Sequence, residues 1–223
     1  MNLQKEYNTK SITAIIPAYN EEGNIAHVLR PLKESKLFKE IIVIDDGSVD
    51  QTGEVARSHG VRVLTQKNSG KGMAMQSGAR EANGDILCFF DADLIGLTPD
   101  IVAQLIAPLT NSDTAMTIGL RDKSWFTHIA PLLAPVLGGE RAVSRELFGR
   151  MMETPFQAQK NFGIETIMNA YCKKNKLTVT YVVMPGVTHV IKEKKYGLWI
   201  GFIARIQMIF QIVAAEIETY KRR

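Results

Sequence analysis

Solid apolar runs and mixed polar stretches alternate in blocks through the first half of this 223-residue chain. Residues 11–16 form a β-branched run that stops at Pro17 and predict a first strand; residues 25–36 predict a helix. Residues 40–44 carry Ile41, Ile42, Val43 and Ile44 in succession, a second strand that ends abruptly at Asp45, Asp46, Gly47 and Ser48. Residues 50–59 read as a helix, 61–65 as a third strand, 73–82 as a helix, and 85–90 as a fourth strand running straight into Asp91, Ala92 and Asp93. Strands that are apolar throughout and separated by helices predict an α/β fold with a mostly parallel sheet covered on both faces. Ligands of such sheets bind beyond the carboxyl ends of the strands. Polar clusters follow three of those ends, at 18–22, 45–46 and 91–93, so one edge of the sheet is the predicted site.

The second half is less regular. Residues 115–119 predict a strand, 139–152 a turn followed by a helix, 163–172 a helix and 178–183 a strand. No internal repeat or low-complexity linker divides the chain, which predicts one domain over residues 1–191. Residues 192–223 form a separate basic and amphipathic segment. Trp199, Ile203, Ile206, Phe210, Val213 and Ile217 recur at spacings of four and three along one helical face, with Lys192, Lys194 and Lys195 before it and Lys221, Arg222 and Arg223 after it. Arg205 near the centre of a membrane span costs about 2.5 kcal/mol or more, which argues against a crossing helix. Two placements stand open: in a membrane interface, with the basic flanks against anionic lipid, or packed on the chain's own domain or a second subunit as in a homodimer.

A net charge of +4 suits anionic phosphates or anionic lipid and is too small to argue for nucleic acid. Cys88 and Cys172 lie far apart, each in an apolar segment, and predict buried free thiols. With a polar stretch at residues 1–10, these features lead to the expectation of a cytoplasmic protein, peripheral at the inner face of the plasma membrane if the final segment meets lipid.

Asp91 and Asp93 place two carboxylates one residue apart after a buried strand. Oxygen ligands of this kind suit Mg²⁺ or Mn²⁺, which takes further ligands from water and substrate phosphates. Asn68-Ser69-Gly70-Lys71-Gly72 precedes a helix; two glycines allow close backbone approach, the helix start favours an anion, and Lys71 adds a charge. It is not a P-loop, because Met73 stands where Ser or Thr would meet Mg²⁺. A solvated lysine in a turn is the plainer alternative.

Pro17-Ala18-Tyr19-Asn20-Glu21, Asp45-Asp46-Gly47-Ser48 and Asp91-Ala92-Asp93, in this order and spacing, resemble the family 2 glycosyltransferases. The resemblance implies the GT-A fold, a Rossmann-like, mostly parallel sheet flanked by helices, and transfer of a sugar from a nucleotide diphosphate-sugar of the UDP-glucose or GDP-mannose type. It places Pro17, Ala18 and Tyr19 in the wall of the nucleotide base pocket and Glu21 near the ribose. Asp46 would accept a hydrogen bond from the base, and Lys71 would contact nucleotide or phosphate. Asp91 and Ala92 would lie near the ribose or metal, with Asp93 the principal metal ligand. Tyr19 as simple packing remains open, as does Asp46 as a helix N-cap, a role that Ser48 or Asp50 could take instead.

Gly119-Leu120-Arg121, Gly138-Gly139-Glu140-Arg141-Ala142 and Asn161-Phe162-Gly163-Ile164-Glu165 look like elements of polyprenyl-phosphate sugar synthases and glucosyl-3-phosphoglycerate synthases. Both groups glycosylate a phosphate-bearing acceptor. The resemblance implies a polyprenyl phosphate by preference, or a small soluble acceptor such as 3-phosphoglycerate. Arg121 and Arg141 are candidate phosphate contacts, with a surface ion pair to Glu140 the alternative for Arg141. Glu140 and Glu165 are candidate catalytic acids for acceptor recognition or proton removal, although an ionised phosphate acceptor needs no base. Polyprenyl-phosphate synthases commonly carry Gly-Phe-Arg or Gly-Gln-Arg where this chain has Gly139-Glu140-Arg141. A late histidine, His189, matches the one that completes the metal shell in several GT-A enzymes; a structural histidine is the alternative. A nucleotidyltransferase is disfavoured by the lack of a glycine-rich loop after the first strand, and a non-catalytic nucleotide-binding module by the intact Asp91 and Asp93.

Overall fold

A computed structural model describes residues 10–110, 113–121, 139–153 and 163–189. The predicted segment 192–223, and Gly138, Asn161 and Phe162 of the second-half motifs, lie outside the described residues.

The described chain runs β1 (Ile12–Ala18), α1 (Ile25–Glu34), β2 (Glu40–Asp45), α2 (Thr52–Ser58), β3 (Arg62–Thr65), α3 (Lys71–Glu81), β4 (Ile86–Phe89), β5 (Leu94–Ile95) and α4 (Pro99–Ile106). It continues through β6 (Met116–Arg121), β7 (Arg141–Ser144), α5 (Arg145–Met152), α6 (Ile164–Lys174), β8 (Val179–Met184) and β9 (Thr188–His189). Seven strands form one sheet in the order β3-β2-β1-β4-β7-β6-β8, and β5 and β9 form a separate ribbon. Pairing is parallel for β3–β2, β2–β1, β1–β4 and β6–β8, and antiparallel for both neighbours of β7. The sheet is therefore mixed but mostly parallel, as the unbroken apolar runs predict.

Strand β1 is buried along its whole length, because β2 and β4 flank it and helices cover both faces. One core layer packs α1 and α4 on the sheet through Val28, Leu29, Leu32, Val102 and Leu105; the other packs α3, α5 and α6 through Met75, Phe148, Ile164 and Met168. Helix α3 approaches closely because Gly78 faces the sheet: a Cβ there would lie 2.4 Å from Ile15 Cγ2. Helix α4 starts where Thr98 Oγ1 accepts from Ile101 N, with Pro99 at the first turn.

Residues 139–152 are corrected by the structure. The predicted turn-then-helix contains strand β7, whose Arg141–Ser144 pair with Phe89–Ile86 of β4. Four residues are too few to show a period, and Ser144 ends the strand while capping α5 through Leu147 N. Among the described residues, no helix is long and apolar enough to cross a membrane.

The chain runs from β1 outward to β2 and β3, then returns to place β4 on the other side of β1. That reversal opens a crevice beyond the carboxyl ends of β1 and β4, the position at which open α/β sheets bind ligands. Ala18–Glu21 and Asp91–Asp93 border it.

Candidate active site

The loops after β1 and β2 are laced together. Asn20 N donates to Ser48 Oγ at 3.0 Å, Val49 N to Asn20 Oδ1 at 2.9 Å, and Glu21 N to Thr52 Oγ1 at 2.7 Å. Asn20 adopts a left-handed φ of 54°, which asparagine tolerates better than most residues. Pro17 and Ala18 are buried in the strand end, while Tyr19 beside them is 40% exposed. The Glu21 carboxylate accepts from Asn24 Nδ2 at 2.8 Å at the start of α1.

Asp46 is buried, and its carboxylate organises the glycine loop before α3. Oδ1 accepts from Gln66 Nε2 at 2.7 Å and Ser69 N at 2.9 Å, and Oδ2 from Gly70 N at 2.8 Å. This corrects the N-cap alternative for Asp46. Of the two alternatives, Ser48 and Asp50, Asp50 serves the start of α2, its Oδ1 accepting from Thr52 N at 3.0 Å, while Gln51 makes no side-chain cap bond. Asp45 instead holds the turn by accepting from Ser48 N at 3.0 Å. Gly47, at φ 79°, is required because a Cβ there would lie 2.9 Å from Asn68 N.

The glycine loop delivers Lys71 as the first residue of α3. Its Nζ lies 2.7 Å from both Asp91 Oδ1 and Glu165 Oε1, so three segments distant in sequence converge on one ammonium. The solvated-lysine alternative is thereby corrected, although the side chain keeps 42% exposure. Burial works against the Lys71 charge, but the two carboxylates outweigh it and raise its pKa above the ordinary lysine value. In return, Asp91 and Glu165 are held below their ordinary values: burial pushes each up, and Lys71, helped by Arg121 at Asp91 and by Arg141 at Glu165, more than reverses it.

Arg121, at the end of β6, closes the other side. Its NH1 lies 3.1 Å from His189 Nδ1 and 4.0 Å from Asp91 Oδ2, and its Nε lies 3.8 Å from Glu140 Oε2. The β5–β9 ribbon pairs Leu94 with His189 and so brings the histidine against the segment that follows Asp93. Gly139 lets the chain pass over Asp91, since a Cβ there would lie 2.6 Å from Asp91 Oδ2. Ala92 is buried between the two aspartates, with its side chain in the core.

Two sequence-predicted residues are not where an open site needs them. Arg141 is fully buried, with NH1 donating to Asn169 Oδ1 at 2.6 Å, so it is neither in a surface ion pair nor on the crevice wall. Burial lowers its pKa, against the pull of Glu165 and Glu140. Glu140 is also fully buried, and neither carboxylate oxygen has a hydrogen-bond partner. Burial first, and the Asp91 charge second, push its pKa up to about 7, with Arg121 pulling the other way. Gln66, Ser69 and Asn169 were not legible as site supports, because each acts through one contact made across the fold.

Among the described residues, no three His, Cys, Asp or Glu side chains gather closely enough to enclose a metal ion unaided. The donor set nevertheless fits Mg²⁺ or Mn²⁺ in an open site: carboxylates at Asp91 and Asp93 and an imidazole at His189 offer hard and borderline ligands, leaving positions for phosphate oxygens and water.

A mostly parallel sheet with charged side chains gathered at its switch point has the architecture of the open α/β ligand-binding folds. The glycosyl transferase family 2 model matches residues 13–125, half of the chain and every element from β1 to β6, and the chain belongs to that family. Among curated relatives, 4,4'-diaponeurosporenoate glycosyltransferase of Staphylococcus aureus is 39% identical in strain bovine RF122 / ET3-1 and 38% in strain USA300, over 106 residues. That match covers 45% of this chain and 28% of the relative's length. Glucosyl-3-phosphoglycerate synthase from Mycobacterium tuberculosis, in complex with Mn²⁺, uridine diphosphate and glucosyl-3-phosphoglycerate, superposes with a TM-score of 0.75 at 25% identity, covering 96% of this chain and 82% of that one. The same synthase with Mn²⁺, uridine-diphosphate-glucose and glycerol 3-phosphate superposes with a TM-score of 0.76, also at 25% identity and over the same shares. The GT-A fold expected from the resemblance is the fold observed.

Proposed function

We propose that this chain is a metal-dependent hexosyltransferase that moves a sugar from a nucleotide diphosphate-sugar to a small phosphorylated acceptor. The observation that carries the reading is the charge cluster at the crevice. Two cations, Lys71 and Arg121, face three carboxylates, Asp91, Glu140 and Glu165, with Arg141 buried behind them. A donor diphosphate adds negative charge to a site that has no surplus of positive charge, and a divalent cation offsets it.

Pro17, Ala18 and Tyr19 form the base wall, with Glu21 toward the ribose. Asp46 acts on the donor chiefly by fixing the glycine loop, and one unused lone pair is left for the base. Asp93 and His189 would hold the metal with Asp91 beside them, and a divalent cation there would supply neutralisation of charge on the leaving diphosphate. Lys71 supplies fixed positive charge to the same oxygens. Glu165 is ionised at neutral pH but held there by Lys71, which makes it a weak base. It suits orienting an acceptor hydroxyl better than removing its proton.

Support for a small phosphorylated acceptor comes from the 25%-identical synthase, whose complexes hold glucosyl-3-phosphoglycerate or glycerol 3-phosphate. A polyprenyl phosphate is the second reading, favoured by the amphipathic pattern and basic flanks of residues 192–223. The test is product analysis by mass spectrometry after incubation with Mn²⁺, UDP-glucose or GDP-mannose, and either 3-phosphoglycerate or polyprenyl phosphate in detergent micelles. A glycosylated small phosphate supports the first reading, and a glycosylated lipid replaces it with the second. No product from any pairing contradicts both.

A further inference from the structure

Glu140 is the one fully buried carboxylate of the described site whose oxygens both lack a hydrogen-bond partner. A buried, unsatisfied acid is costly and calls for an explanation. Its nearest cation is Arg121, whose Nε stands 3.8 Å from Oε2, close enough for attraction but too far for a hydrogen bond. Arg121 is held off by other contacts: its NH1 lies 3.1 Å from His189 Nδ1 and 4.0 Å from Asp91 Oδ2.

Those two partners are candidate metal ligands, so a guanidinium group stands where a divalent cation would draw its protein ligands. The conflict extends to the lone pair on the histidine. A guanidinium can only donate, so His189 Nδ1 spends its lone pair on Arg121. Metal binding through that nitrogen requires Arg121 to release His189.

We propose that Arg121 is a placeholder cation for the metal-free site, and that Glu140 is the buried counter-ion that receives its guanidinium when a divalent cation takes Asp91 and His189. The inference rests on the metal-dependent reading above. It explains both the placement of Arg121 and the unmet carboxylate beneath it, and it makes Glu140 a positioning residue that acts through Arg121.

The test is Mn²⁺ affinity without nucleotide, read by electron paramagnetic resonance of the free ion, for wild type, Arg121→Gln, Glu140→Gln and the double variant, with circular dichroism to establish folding. Removing the competing charge in Arg121→Gln tightens Mn²⁺ binding about ten-fold. Glu140→Gln, which removes the buried counter-charge for Arg121, weakens it by about the same factor. In the Arg121→Gln background the Glu140 substitution then has little effect, because its role runs through the arginine. Arg121→Met serves the same comparison should Arg121→Gln fail to fold. Unchanged or weaker Mn²⁺ binding on loss of Arg121 overturns the placeholder role. An equal Glu140→Gln effect with and without Arg121 overturns the positioning role, leaving only direct attraction between Glu140 and the ion. Asp93→Asn that binds Mn²⁺ as well as wild type overturns the metal site itself, and the inference with it.

Discussion

Glu165 Oε1 lies 2.7 Å from Lys71 Nζ, which ties the first turn of α6 to the first residue of α3 across 94 positions of sequence. The same ammonium holds Asp91, so Lys71 sets the charge state of two carboxylates that face the crevice. Lys71→Met removes that control. The expected outcome is donor affinity lowered about ten-fold, with the Glu165 pKa moving up. Calorimetric titration of the donor and carboxylate shifts by nuclear magnetic resonance check the two parts.

Asp46 bonds the backbone of Ser69 and Gly70, and Asp46→Ala leaves those amides to solvent. Bonds to a charged acceptor are worth more than neutral ones, so the variant is expected to lose about 2 kcal/mol in urea unfolding. Amide exchange should quicken at residues 69 and 70 while that of β1 is unchanged.

Glu140 sets a pH dependence of known sign. Its carboxyl has an ordinary value of 4.5 and rises to about 7 in the folded chain, through burial and Asp91, opposed by Arg121 and Lys71. The folded state therefore holds more protons than the unfolded one across that window, and stability falls as pH rises through it. In the metal-free protein the loss between pH 5 and pH 8 is expected to approach about 3 kcal/mol. Glu140→Gln abolishes this slope. Asp91 and Glu165 act in the opposite sense and at lower pH: their stabilisation is present above the ordinary values and is lost in acid.

The first four strands and three helices were legible because each carries its own period: β1, β2 and β4 are unbroken apolar runs, and α1 buries Ile25, Val28, Leu29 and Leu32 at helical spacing. Three strand-end clusters then gave the edge of the site. Strand β7 escaped because four residues between a glycine turn and a helix show no period, and β5 and β9 are two residues each. The charges were visible as residue types, but their partners were not. Nothing local tells that Asp46 faces the glycine loop, that Arg121 reaches His189, or that Arg141 turns inward to Asn169. Such contacts are fixed by sheet order: the parallel pairing of β2 with β3 sets the first, and the antiparallel insertion of β7 between β4 and β6 bears on the other two.

Cys88 and Cys172 are free and buried, as their apolar settings predict. Burial raises both thiol pKa values, that of Cys172 to about 11, so neither offers a thiolate near neutrality. An aromatic disulfide reagent is expected to leave the native protein unlabelled over minutes and to titrate both thiols in guanidinium. Rapid labelling of the folded chain would contradict the packing around β4 and α6.

The proposed transfer requires that the crevice bind a nucleotide diphosphate-sugar through a divalent cation held at Asp93. Calorimetric titration of UDP-glucose and GDP-mannose, with and without Mn²⁺, for wild type and Asp93→Ala, tests it most directly. One donor is expected to bind the wild type only with Mn²⁺, and Asp93→Ala to lose this binding. Donor binding that needs no metal, or that survives in Asp93→Ala, would contradict it.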